Sequence, residues 1–291
     1  MTLTQMLGQK LVFGFHGTSL SPEFKALIRK YKIGNVILFL RNVESADQLR
    51  QLCDEIRALI LEETGYPPFI IIDQEGGMVS RLPKDAVNVP GAMALAATGN
   101  PENARLASEI TVRQLKGLGA NFNMAPVLDV NSNANNPVIG VRSFGDDPEA
   151  VAAFGCASLA PYRGSGVLCC AKHFPGHGDT AVDSHLGLPR VDKTEQELEA
   201  LELIPFRRAI AQGVPAIMMS HVLPCPGARR TALHHVPADG HRPSPGKAGI
   251  SGADSDGLHG DAGHSGPFRH SQWRRCLHSG RCGPGRAFRD L

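Results

Sequence analysis

The chain has 291 residues, 30 Lys+Arg against 28 Asp+Glu, and a formal net charge of +2 at pH 7. That balance argues neither for nor against a nucleic-acid partner, and its basic excess lies entirely in residues 224–291. No stretch approaches the roughly 18 consecutive apolar residues of a membrane-spanning helix, and Met1 to Lys10 lacks a basic segment followed by an apolar one. The expectation is a soluble, cytoplasmic protein with neither membrane nor nucleic acid as partner.

Read in order, the first 223 residues alternate helix and strand. Ser21 and Pro22 suit the N-cap and first position of a helix whose stripe is Phe24, Leu27, Ile28 and Tyr31, with Gly34 expected to close it. A strand follows over Asn35 to Leu40. Ser45 caps a second helix with Leu49, Leu52, Ile56, Leu59 and Ile60 on one face, and Gly65 stops it before Pro67 and Pro68. Phe69 to Ile72 is the second strand, ending in Asp73-Gln-Glu-Gly-Gly77. Asn100 with Pro101 starts a third helix, and Ala120 to Val127 reads as a third strand ending at Asp129. Asp147 with Pro148 starts a fourth helix before the apolar run Gly166 to Ala171. Thr194 and Glu197 form a capping box, and Val214 to Met219 is a fifth strand ending in Ser220-His221.

Apolar strands that each feed a helix specify a parallel sheet covered by helices. Polar residues gather after each strand's C-terminal end, at Arg41, Asp73, Asp129, Lys172 and His221, as on the active face of a (β/α) barrel. A doubly wound sheet is the alternative, disfavoured by the lack of a Gly-rich phosphate loop. The seven cysteines form no C-x-x-C pair and are most simply reduced core residues, with Cys169 and Cys170 on opposite faces of their strand.

The densest polar stretch runs from Lys172 to His185. Pro175 and Gly176 forbid a continuous helix between His173 and His177, so their spacing does not present two imidazoles on one helical face, and no metal is expected. Asp183, two residues before His185, is close enough to fix that ring's tautomer and raise its basicity. The plainer alternative is a Gly-rich loop with solvated histidines.

Five motifs together resemble the catalytic domain of family-3 glycoside hydrolases, nearest to the bacterial β-N-acetylhexosaminidase branch. They are Asp73-Gln-Glu-Gly-Gly with Arg81, Asn121 to Val130, Val138 to Gly145, Lys172 to His185, and Met218 to Val222. The resemblance implies a (β/α)8 barrel, here incomplete at about five of eight strands, acting on a GlcNAc-containing glycan or muropeptide without cofactor. It further implies that Asp73, Arg81, Arg142, Lys172 and His173 bind the sugar. Asp183 and His185 would be an acid/base dyad, with imidazole in place of the second carboxylic acid that most glycosidases use. Rivals are a phosphorylase, since a neutral His does not repel phosphate, and a catalytically dead saccharide-binding protein.

The retaining mechanism also needs a carboxylate nucleophile, which this family carries at the end of a strand after the Ser-His-Val motif. Nothing past His221 has that form. Residues 224–291 hold 10 Lys+Arg against 5 Asp, with 12 Gly, 7 Pro and 7 His but one Val, one Ile and no Glu. Such a composition is expected to give a disordered basic tail. Read one nucleotide later, the codons permitted for Pro243 to Gly252 include Leu-Leu-Arg-Glu-Lys-Leu-Gly-Phe-Gln. Those for Gly252 to Asp261 include Gly-Leu-Ile-Leu-Thr-Asp-Cys-Met-Glu-Met, an apolar strand ending in Thr-Asp. The expectation is therefore a barrel domain over 1–223, a reading frame lost near Leu223 to Pro226, and an off-frame tail over 224–291.

Overall fold

The computed structural model describes residues 1–179 and 193–220 in full, and the backbone alone at 190–191 and 223–224. The expectations placed on Asp183, His185, His221 and the tail lie outside the described residues.

The elements in chain order are α1 (Leu3–Gly8), β1 (Val12–Phe13), α2 (Pro22–Tyr31), β2 (Asn35–Leu38), α3 (Ala46–Thr64), β3 (Phe69–Ile72), α4 (Ala92–Ala96) and α5 (Pro101–Leu118). They continue with β4 (Phe122–Asn123), α6 (Pro148–Leu159), β5 (Leu168–Phe174), β6 (Arg190–Val191), α7 (Glu195–Ala200), α8 (Leu203–Ala211), β7 (Ala216–Met219) and β8 (Leu223–Pro224). The main sheet has the order β1-β2-β3-β4-β5-β7, with every pair parallel. Neighbours in space are thus successive along this sheet, which is barrel topology and rules out the order reversal of a doubly wound sheet. The strands β6 and β8 form a separate parallel pair.

The strands are buried on both faces. Phe69, Ile71, Phe122, Met124, Cys170 and Ala216 pack together on the concave side, and the Phe69 and Phe122 rings meet edge to face at 5.4 Å. Val36, Leu38, Ile70, Ile72, Cys169 and Ala171 face outward into the larger core beneath the helices. Cys169 and Cys170 therefore do lie on opposite faces, and both are reduced. Alternating direction along a strand divides each apolar run between two cores.

Local chemistry sets the helix boundaries. Ser21, Ser45, Asn100 and Asp147 each accept a backbone N–H from the first turn of their helix, and Thr194 with Glu197 completes its capping box. α2 departs from the expected stop: it ends at Lys32, which adopts the left-handed conformation itself. Gly34 serves packing instead, because a Cβ there would lie 2.6 Å from the Gln9 side chain. β2 is also shorter than expected, since a turn of 3₁₀ helix over Leu40–Asn42 replaces its end. The strand expected over Ala120 to Val127 is regular only at Phe122–Asn123, yet its pairing to β5 resumes at Val127 opposite Lys172, past Pro126, which has no N–H to give. β1 was not expected and adds a sixth strand to the sheet.

The strand β5 runs through Lys172 and His173, beyond the Ala171 at which the apolar run ends. Its register against β7 shifts between Ala171 and Phe174. An irregularity of this kind re-aims side chains at a strand's end, and here it falls on the two residues that begin the polar cluster.

Candidate active site

Asp73 and Glu75 follow β3 directly, and the residue between them is held rigidly. The Asn123 side chain accepts from the Gln74 backbone N–H at 2.9 Å and donates to the Gln74 carbonyl at 2.9 Å and to the Tyr162 hydroxyl at 2.8 Å. Gln74 Oε1 in turn accepts from Ser80 Oγ and from the Arg81 backbone N–H, folding the loop back on itself. Gly76 turns at φ +91°, where a Cβ would also meet the Pro90 carbonyl at 2.9 Å, so glycine is required on both counts.

This frame sets up an ion network. Lys172 Nζ donates to Asp73 Oδ1 at 2.8 Å and to Glu75 Oε1 at 2.6 Å. Arg142 grips the same Glu75 through Nη2 to Oε1 at 2.8 Å and Nε to Oε2 at 2.9 Å, and its Nη1 donates to the Val138 carbonyl. Two cations thus balance two carboxylates, which is what lets Lys172, only 3% exposed in its side chain, keep its charge. Burial works to depress the Lys172 ammonium, but the charges of Glu75 and Asp73 outweigh it and hold the group above the ordinary lysine range. Burial likewise works to raise Glu75, but the hydrogen bond from Arg142 and the charges of Lys172 and Arg142 lower it to about 2.

A second cluster lies where β4 and β5 end. Asp129, fully buried, accepts the His173 imidazole Nδ1–H at 2.7 Å and the His177 backbone N–H at 2.7 Å. This fixes the His173 tautomer and leaves Nε2 as the nitrogen for other partners. Burial opposes the Asp129 charge, yet the His173 ring and the backbone amides hold its carboxyl below the ordinary aspartate range. The His173 and His177 rings are 6.1 Å apart and near perpendicular. Among the described residues no group of three or more His, Cys, Asp and Glu side chains is placed to hold a metal ion.

Of the expected binding residues, Asp73, Arg142 and Lys172 share one network and His173 stands on the same strand as Lys172. Arg81 does not join them: its guanidinium bonds the Ser80 carbonyl, and among the described residues it makes no ion pair. Glu75 and Asp129, to which the sequence reading gave no role, are the partners that order the others. A signal existed for Glu75, because two cations expected at one site imply two anions.

The depressed Glu75 carboxyl gives a testable pH dependence. Its folded value, about 2, lies below the ordinary 4.5, so its contribution is fully present above pH 4.5 and is lost as pH falls toward 2. A shift of this size corresponds to on the order of 3 kcal/mol. Glu75→Gln should therefore be less stable than the parent at neutral pH, with the gap in unfolding free energy narrowing below pH 4.5 and vanishing near pH 2.

Residues 2–242 match the glycosyl hydrolase family 3 N terminal domain. The chain belongs to this family. It is 40% identical over 242 residues to Beta-hexosaminidase A of Pseudoalteromonas piscicida, covering 76% of this chain and 40% of that protein. It is 40% identical over 225 residues to the Beta-hexosaminidase of Alkalilimnicola ehrlichii, covering 75% of this chain and 63% of that one. The chain therefore spans 40% and 63% of the lengths of these two relatives. Among solved structures, a family 3 beta-N-acetylglucosaminidase from Paenibacillus sp. str. FPU-7 superposes with a TM-score of 0.75 at 46% identity, over 77% of this chain and 43% of that one. NagZ from Neisseria gonorrhoeae, solved with N-trifluoroacetyl-D-glucosamine, does so with a TM-score of 0.68 at 34% identity, over 74% of this chain and 64% of that one. These likenesses agree with the family-3 reading of the five motifs.

Proposed function

We propose that the domain over residues 1–223 is built to bind a terminal N-acetyl-β-D-glucosamine and, given a nucleophile, to release it as a retaining β-N-acetylhexosaminidase. The observation that carries this reading is how exposure is divided across the two clusters. The side chains of Glu75, Lys172 and Asp129 are 7%, 3% and 0% exposed, while those of Asp73, Arg142 and His173 keep 22%, 19% and 16%. A carboxylate, a guanidinium and an imidazole, each oriented by a buried partner, form a polar surface matched to the hydroxyls of one sugar ring. The hexosaminidase names of the relatives support an N-acetylated hexose, and peptidoglycan fragments in the cytoplasm are the source we propose for it. Arg81, with no ion-pair partner among the described residues, is a further candidate for a sugar hydroxyl.

In this proposal His185, as imidazolium, protonates the leaving oxygen and then, neutral, takes a proton from water, with Asp183 holding its pKa near working pH. Two protein groups and water suffice, so no cofactor is needed. A saccharide-binding protein without turnover is the second reading, favoured because the sequence of residues 224–291 holds no apolar run ending in Asp.

His185→Ala in a chain with the nucleophile segment restored tests the assignment. It should slow an N-acetyl-β-glucosaminide with a poor leaving group far more than one with an acidic phenol, because only the former needs its oxygen protonated as the bond breaks. Equal losses on both would reduce His185 to a structural histidine.

A further inference from the structure

A third charged cluster stands apart from the sugar-facing network. Glu202 precedes α8 and is 1% exposed, yet it is a carboxylate. Its Oε1 accepts from Lys193 Nζ, while its Oε2 is buried with no hydrogen-bond partner. Lys193 also pairs with Asp179 at 3.1 Å and reaches Ser132 Oγ at 3.4 Å. Burying a carboxylate costs more than burying an apolar side chain of similar volume, so packing alone does not account for Glu202.

Its surroundings give it a use. Gly176 lies against it so closely that a Cβ there would be 2.5 Å from Glu202 Cγ, and a Cβ on Gly178 would overlap the Val130 carbonyl at 1.7 Å. The His177 carbonyl accepts from Asn136 Nδ2 at 2.8 Å and that of Gly178 from the Asn133 backbone N–H at 3.3 Å. Residues 176–179 are thus laid flat on Glu202 and on the loop after β4. On the other side, Lys193 immediately precedes Thr194, the N-cap of α7, whose capping box fixes the chain's direction of exit. Asp179 and Lys193 therefore flank the segment 180–192, and Lys193 links Asp179 to Glu202.

We infer that Glu202, Lys193 and Asp179 are positioning residues, a clamp that ties both ends of segment 180–192 to one buried carboxylate. Holding Asp179 beside Lys193, and Lys193 on Glu202, fixes the separation of the two points between which residues 180–192 run. The part of this inference that concerns catalysis rests on the reading of Asp183 and His185 as the acid/base dyad, since they are what the segment carries. Two groups that must meet a substrate within about half an ångström need residues that hold the chain on either side of them.

Hydrogen exchange, followed peptide by peptide on the full 291-residue chain, tests the clamp without requiring turnover. Lys193→Met and the near-isosteric Glu202→Gln should each speed exchange at 176–179 and 193–197 by about tenfold or more, as expected for losing a charge-assisted hydrogen bond, and leave β2 and β3 unchanged. Lys193→Arg, which keeps the cation, should stay near the parent. Unchanged exchange in both Lys193→Met and Glu202→Gln would overturn the clamp. So would acceleration spread evenly over the sheet, which marks ordinary core residues, or Lys193→Arg behaving like Lys193→Met. The two readings fail separately: a restored chain without glycosidase activity overturns the function, whereas these exchange results overturn the clamp.

Discussion

Purified as the 291-residue chain, the protein should release chromophore from an N-acetyl-β-glucosaminide at close to the background rate, and a version restored to frame near Leu223 to Pro226 should recover full turnover. The reason is covalent chemistry. A retaining glycosidase passes through an ester between the sugar and a carboxylate, and no arrangement of hydrogen-bond donors substitutes for that bond. Loss of a nucleophile costs several orders of magnitude, on the order of 10⁴ or more, so the contrast far exceeds assay error. Sugar binding should survive in the unrestored chain, because Asp73, Arg142, Lys172 and His173 all precede the proposed frame change. Equal turnover by the two chains would mean that the 291-residue chain as it stands already holds the nucleophile.

The next largest effect is expected for Lys172→Met. Lys172 bridges Asp73 and Glu75 from a buried position, so removing its charge leaves two carboxylates against the single guanidinium of Arg142. Breaking a buried, hydrogen-bonded charge pair costs about 3–5 kcal/mol, which for a domain of this size lowers Tm by roughly 10 °C. N-acetylglucosamine affinity should fall in parallel, since Asp73 loses the partner that orients it. Adding Asp73→Asn to Lys172→Met should restore part of the stability but none of the affinity, and differential scanning calorimetry beside titration calorimetry separates the two. Recovery of affinity in the double variant would show that Asp73 does not contact the sugar.

What the sequence made legible follows the range of the interactions involved. Caps such as Ser45, Asn100 and Asp147 bond residues two or three positions away, so their chemistry is written locally and their helices start where expected. The apolar runs at Phe69–Ile72 and around Cys170 could be read as doubly buried strands, because burial on both faces needs no alternation. β1, two residues long, offers too short a pattern to read, and Lys32 ends α2 in a conformation that usually selects glycine.

The site divides along the same line. Which residues are polar, and that they follow strands, was visible; who pairs with whom was not. Glu75 and Arg142 are 67 positions apart, and His173 and Asp129 are 44 apart, so only the closing of β3, β4 and β5 side by side brings them together. The pairing residues were therefore missed while the residues they support were found. The clamp at Glu202 was missed for a further reason: a Glu inside an amphipathic helical stretch reads as solvent-facing, and only the chain folded over it shows that it is buried.

Whether residues 224–291 are off-frame sequence is answered directly by the coding DNA across codons 220 to 262. The expected result is one base gained or lost near codons 223–226, whose correction yields an apolar strand ending in Thr-Asp at the position now occupied by Gly252 to Asp261. A coding sequence in which no single-base change produces that strand would contradict it, and would favour the reading as a saccharide-binding protein without turnover.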